Sequence, residues 1–90
     1  MREAEWRKEV QRDGFAQISI VEWSPGLFND THTHDFVANI FVISGEMTVK
    51  TDKGEISCGP GESRMLDAEI PHTELVGPEG VSFLIARKSS

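Results

Sequence analysis

The segment Gly26-Leu27-Phe28-Asn29-Asp30-Thr31-His32-Thr33-His34-Asp35-Phe36-Val37-Ala38-Asn39-Ile40-Phe41-Val42-Ile43-Ser44-Gly45 places two histidines, two residues apart, just before a strongly apolar run that stops at a glycine. Side chains at i and i+2 of a strand share a face, so His32 and His34 can converge on one ion from a single strand. Imidazole is also the commonest metal-ligating side chain. A His-x-His pair alone recurs by chance, and a lone strand histidine is most often merely hydrogen-bonded or exposed. The weight comes from the remaining histidine, His72, which follows a Pro downstream; these three are all the histidines in the chain.

Working outward, the rest of the sequence reads as strands joined by tight turns. Residues 1–12 have Trp6 and Val10 four apart with charges between them, which predicts a short amphipathic helix ending near Asp13-Gly14. Phe15 to Trp23 is rich in β-formers and closes at Ser24-Pro25-Gly26. Phe36 to Ser44 is a second strand that stops at Gly45, and Met47 to Thr51 pairs across Asp52-Lys53-Gly54 with Glu55 to Cys58 as a hairpin. After the corner Gly59-Pro60-Gly61 come strands around Arg64 to Leu66, His72 to Val76 and, beyond Gly77-Pro78-Glu79-Gly80, Val81 to Arg87. Many short strands with regularly spaced turn signals predict an all-β sandwich or small barrel.

Length and composition narrow the function classes. Ninety residues, 38% hydrophobic and 27% charged, make room for one globular domain, expected to span 1–90 with a helix and lead-in over 1–14 and a barrel over 15–88. The longest apolar stretch, Ile40 to Ile43, is too short to cross a bilayer, and Met1 opens no basic, apolar leader, so no membrane association is expected. The single cysteine, Cys58, cannot form an internal disulfide, which points to a reducing, cytoplasmic setting. Fifteen acidic residues against nine basic ones repel a phosphate backbone, and no basic patch offsets them, so no nucleic-acid partner is expected. A domain of this size buries a modest core, which makes a homodimer the default expectation.

The spacing of these residues resembles that of the cupins, small jelly-roll barrels. Their first motif runs Gly, five residues, His-x-His, three or four residues, Glu, six residues and Gly. Gly26, His32, His34, Ala38 and Gly45 reproduce the short form, with Ala38 in the place of the Glu. The second motif begins at the Gly of a Pro-Gly-acid corner, here Pro60-Gly61-Glu62, and places a His eleven residues on, which is His72. Its internal Pro and Gly are replaced by Asp67 and Glu69, and its terminal Asn by Val76. The match covers residues 26–76, and the flanking helix and last strand suit a minimal single-domain cupin.

The resemblance implies one divalent metal ion per chain (Fe, Zn, Ni, Mn or Co) held by His32, His34 and His72, and the missing Glu puts the usual fourth ligand in doubt. Strict alternation from His34 turns Phe36, Ala38, Ile40 and Val42 inward and Asn39 outward; a bulge would instead bring Asn39 into the Glu position. Glu74, two residues after His72, is the candidate catalytic residue: by parity it lies on the face of His72, as ligand, general base or orienter of a metal-bound water, the alternative being an edge-strand Glu facing solvent. Three neutral imidazoles leave coordination positions open and the full divalent charge available to an oxygen-bearing substrate.

Three functional classes follow. The first, which we favour, is a metal-dependent enzyme on a small organic substrate, dioxygenase-like with Fe(II), or an isomerase or lyase with other ions. The second is a non-catalytic small-ligand or metal-sensing module, and the third a sugar-binding or structural barrel. Cys58 precedes a tight corner and reads as a buried small hydrophobe rather than a nucleophile. Phe28, Phe36, Phe41, Phe83 and Met65 read mostly as core, some lining the pocket, and Trp6 and Trp23 as staple and lid contacts or as an exposed patch pairing two subunits.

Overall fold

A computed structural model describes residues 1–89. Helix α1 (Glu3–Arg12) is followed by β1 (Ala16–Trp23), β2 (Phe28–His32), β3 (Phe36–Thr51), β4 (Gly54–Cys58), β5 (Ser63–Leu66) and β6 (His72–Ser89). The helix carries Glu3 and Glu5 in its first turn and Arg12 in its last, each favourable to the helix dipole. Its exposed Arg7–Glu3 pair, 2.9 Å apart, adds about 0.3–0.5 kcal/mol. The helix stops in a Schellman motif: Gly14 takes φ +86, its N–H donates to the Gln11 carbonyl, and the Phe15 N–H donates to that of Val10.

Two strands are long enough to organise everything else. β3 runs for 16 residues and β6 for 18, and they pair antiparallel along almost their whole length. The first half of β3 also pairs with β5 and its second half with β4; β6 pairs with β2 near its start and with β1 near its end. Two four-stranded ladders therefore share the same central pair, β1-β6-β3-β5 at one end and β2-β6-β3-β4 at the other. The ladder does not close on itself; β1 and β4 stand at the ends of the hydrogen-bonded order.

The sequence reading broke both long strands, at Gly45 and at 77–80, where the structure bends them instead. Register shifts fall between Val42 and Ser44 and between Gly45 and Met47. Gly45 sits at φ +74, against the backbone of Gly80 and Val81. A bulge with a left-handed glycine bends a strand without ending its pairing, and turn residues alone do not distinguish a bend from a stop.

The curved sheet has an apolar layer on each face. Ile40, Val42, Met47, Cys58, Val76, Val81 and Phe83 form the inner core. On the outer face α1 lays Trp6 and Val10 over Phe15, Phe41, Leu84 and Ala86. Trp6 is 1% exposed, its ring 5.8 Å from that of Phe41, so it is consumed within the chain and cannot form the subunit-pairing patch considered from sequence. Trp23 packs edge-on against Phe83. Phe41 and Phe83 are core as expected, but Phe28 and Met65 are not: they are 55% and 60% exposed and border the internal cavity.

Candidate metal centre

His32 is the last residue of β2, His72 the first of β6, and the two are paired across the ladder. His34 lies beyond the strand, in the three-residue link to β3, so the His-x-His pair straddles a strand end rather than occupying one strand. The link is held from the other side: the Glu69 N–H donates to the His34 carbonyl at 2.8 Å. Glu69 takes φ +63, a left-handed conformation, at a place where the cupin motif carries Gly.

The three rings meet. Their centroids are 4.3 Å (His32–His72), 4.9 Å (His32–His34) and 5.0 Å (His34–His72) apart, and one nitrogen from each lies within 4.8 Å of the others. Nδ1 of His32 is 2.7 Å from the Asp30 carbonyl oxygen, and Nδ1 of His72 is 2.8 Å from that of Ile70. A carbonyl only accepts, so each Nδ1 carries a proton, and in the neutral ring Nε2 is then the nitrogen with the free lone pair. Such a backbone anchor fixes the tautomer a metal ligand requires.

A divalent cation fits this donor set on one further observation. His72 is 1% exposed, and its Nε2 is a buried nitrogen without a hydrogen-bond partner. Leaving a buried polar atom unpaired costs about 1–3 kcal/mol, and a metal bond would satisfy it.

Glu74 lies beside two of the three rings. Its carboxylate is 13% exposed, with Oε1 3.3 Å from Nε2 of His32 and Oε2 3.5 Å from Nε2 of His72, the latter outside hydrogen-bond geometry. Asn29, on β2, donates to Oε1 at 3.0 Å and fixes the carboxylate's orientation. The pairing Asn29↔Glu74 across the β2–β6 ladder is what brings amide and acid together. Sequence reasoning did not single out Asn29, although it is three residues before His32. His34 is pushed to a lower pKa, first by burial, then by the neighbouring His72 and His32 charges; Glu74 opposes this and Arg87 adds to it.

Asn39 is elsewhere. Alternation from Phe36 is strict, Ala38 and Ile40 lining the cavity, while the Asn39 side chain accepts a 2.9 Å hydrogen bond from Nε1 of Trp6 under the helix. The bulge that would have made Asn39 a ligand occurs later, at Gly45.

The histidines open into a cavity of about 610 Å³ inside the curved sheet, walled mainly by apolar side chains including Trp23, Ile40, Met47 and Phe83. Cys58 reaches the same cavity with its thiol buried and its pKa raised, chiefly by desolvation. No helix of the described residues is long and apolar enough to cross a membrane.

No protein-family model and no curated protein sequence matches the chain. Solved structures do. A Rhizobium leguminosarum protein of unknown function superposes with a TM-score of 0.77 at 23% identity, over 81% of this chain and 69% of that one. A cupin superfamily protein from Desulfitobacterium hafniense gives 0.71 at 19% identity, over 82% and 67%. The DMSP lyase DddQ from Ruegeria pomeroyi gives 0.74 at 20% identity, over 87% of this chain but 40% of the lyase. The chain has the cupin fold: a jelly-roll sheet, with one short N-terminal helix, around a cluster of three histidines that could bind a metal.

Proposed function

We propose that this is a metal-dependent cupin enzyme that moves a proton on a small organic molecule, in the manner of an isomerase or lyase, with His32, His34 and His72 as ligands and Glu74 as general base. The observation that carries the reading is the buried, unpartnered Nε2 of His72 beside two further imidazole donors. A bound divalent ion would supply Lewis-acid polarisation of a substrate oxygen.

The remaining roles belong to the chain itself. The Nδ1–H bonds to Asp30 and Ile70 hold two rings with their acceptor nitrogens turned to the common point. Glu74 puts a carboxylate beside the Nε2 atoms of His32 and His72, and the Asn29 amide restrains it to one orientation while leaving it lone pairs to accept a proton. Apolar side chains make up most of the cavity wall, which lowers the local polarity and so strengthens each of these polar interactions. A fixed base next to the donor cluster suits a reaction that begins by taking a proton from the substrate.

The test is elemental analysis of protein purified without added metal or chelator, alongside His72→Ala and Glu74→Gln. The expected result is about one divalent ion per chain in the wild type and loss in His72→Ala. Turnover screened on small carbonyl acids should then fall about a hundredfold or more in Glu74→Gln at equal metal content. Equal metal in wild type and His72→Ala would overturn the site, and unchanged turnover in Glu74→Gln would overturn the base.

A further inference from the structure

The last turns of β6 contain a residue that the histidine cluster does not explain. Phe83, Ile85 and Arg87 alternate onto the cavity side of the strand, whereas Leu84 and Ala86 face the helix. An arginine therefore occupies the third position of an otherwise apolar inward series. Lys88, one residue on, is turned outward over the Phe15 ring. Arg87 is half-buried, and no carboxylate among the described residues pairs with it. Its guanidinium lies 5.3 Å from the centre of the Phe36 ring, and that ring stacks on His34 at 4.9 Å. The other cation bordering the cavity, Arg64, is exposed and donates to the Ser63 carbonyl.

A half-buried guanidinium keeps five donors and a full charge that Phe36 can attract but cannot hydrogen-bond. Its nitrogens are not sealed off, and because Arg87 lines the cavity they are free to donate to a group bound there. The chain carries a net charge of −6, so its overall field does not favour anions, and a cation retained inside the cavity is a local exception.

We propose that Arg87 is the anchor for the anionic group of the substrate, so that the cavity takes a small organic anion, a carboxylate on an apolar body, gripped at one end by Arg87 over Phe36 and presented at the other to the histidines and Glu74. This rests on reading the cavity as the substrate site. Guanidinium and carboxylate match in planar, two-pronged geometry, which sets orientation as well as affinity. Apolar walls suit the body of such a molecule.

Calorimetric titration with benzoate and with its neutral isostere benzamide tests this, in protein as purified and after chelator treatment, for wild type, Arg87→Gln and Arg87→Lys. Benzoate should bind wild type about tenfold or more tightly than benzamide, in both metal states. Arg87→Gln should abolish that preference with metal content unchanged, and Arg87→Lys should restore part of it. Equal binding of the two probes, no binding of benzoate, or a preference that survives Arg87→Gln would overturn the anchor; so would a preference that vanishes with the metal, because the ion would then be the anion's partner. Protein that carries no metal yet keeps an Arg87-dependent preference would overturn the metal reading and leave this one standing.

Discussion

His32 and His72 face each other across the β2–β6 ladder with ring centroids 4.3 Å apart, and each donates Nδ1–H to the carbonyl two residues before it in its own chain segment. The same local device is thus used twice, once at the end of a strand and once at the start of another. Two rings so held need no rearrangement to present their Nε2 atoms to one ion, which lowers the ordering cost of binding.

Metal affinity should depend on pH in a particular direction. Each ligand must be neutral to bind, and burial keeps His34 neutral below the ordinary imidazole value of 6.5. Loss of the ion should therefore set in at lower pH than three unperturbed histidines would give. Without metal, the unfolded chain takes up the His34 proton more readily than the folded one, so this group's contribution to stability is present above pH 6.5 and is lost as the pH falls through that value toward the lowered one. Metal titrations between pH 5 and 8, of the order of the imidazole range, would check the first point, and denaturant melts of stripped protein the second.

Removing the charge of Glu74 should loosen the ion. Its oxygens lie 3.3 and 3.5 Å from the two Nε2 atoms, so a cation held by them would feel a full negative charge nearby. Glu74→Gln preserves shape and is expected to weaken binding about 10–100-fold, read by competition with a chromophoric chelator. Affinity identical to wild type would mean that the carboxylate does not act on the metal.

Gly45→Ala should damage the bend in β3. A Cβ there would overlap the carbonyl oxygen of Gly80, and the φ of +74 is unfavourable to alanine as well. Backbone against backbone offers no flexible side chain to yield, so a loss of about 3 kcal/mol is expected. For a chain of this size that is a fall of well over about 10 °C in Tm, measurable by circular dichroism.

Cys58 should be inert in the folded protein. It is 2% exposed, and burial holds its pKa above the usual thiol value. Alkylation at pH 8 should be slow in buffer and fast in denaturant, about as for a free thiol. Since the folded state favours the neutral thiol, the group's contribution is present below pH 9.0 and is lost as the pH rises through it. Rapid native alkylation would show that the inner layer opens readily.

Much of the architecture is legible because it depends on local chemistry. Gly14 ends the helix, Asp52-Lys53-Gly54 turns the hairpin, and the period-two apolar pattern from Phe36 onward assigns the faces of β3. Even the histidine triad is visible as spacing. What spacing does not reveal is whether a glycine bends a strand or ends it, and so β3 and β6 look like four strands rather than two. Asn29 and Arg87 went unnoticed for a related reason: each matters through a partner or cavity supplied by distant chain, Asn29 through Glu74 and Arg87 through the space beside Phe36.

Sequence alone determined the all-β jelly-roll class, the places where the chain bends or turns, and which three side chains are chemically suited to a divalent cation, because periodicity, turn chemistry and donor type are properties of short stretches. Tertiary structure decided that Asn39 serves Trp6 rather than the histidines, that Glu74 faces inward between two ring nitrogens, and that Nε2 of His72 is buried without a partner. Those outcomes turn on residues 33 and 45 positions apart being brought together, Trp6 and Asn39 by the packing of α1 on β3 and Asn29 and Glu74 by the pairing of β2 with β6, and burial and proximity across such separations exist only in the folded sheet.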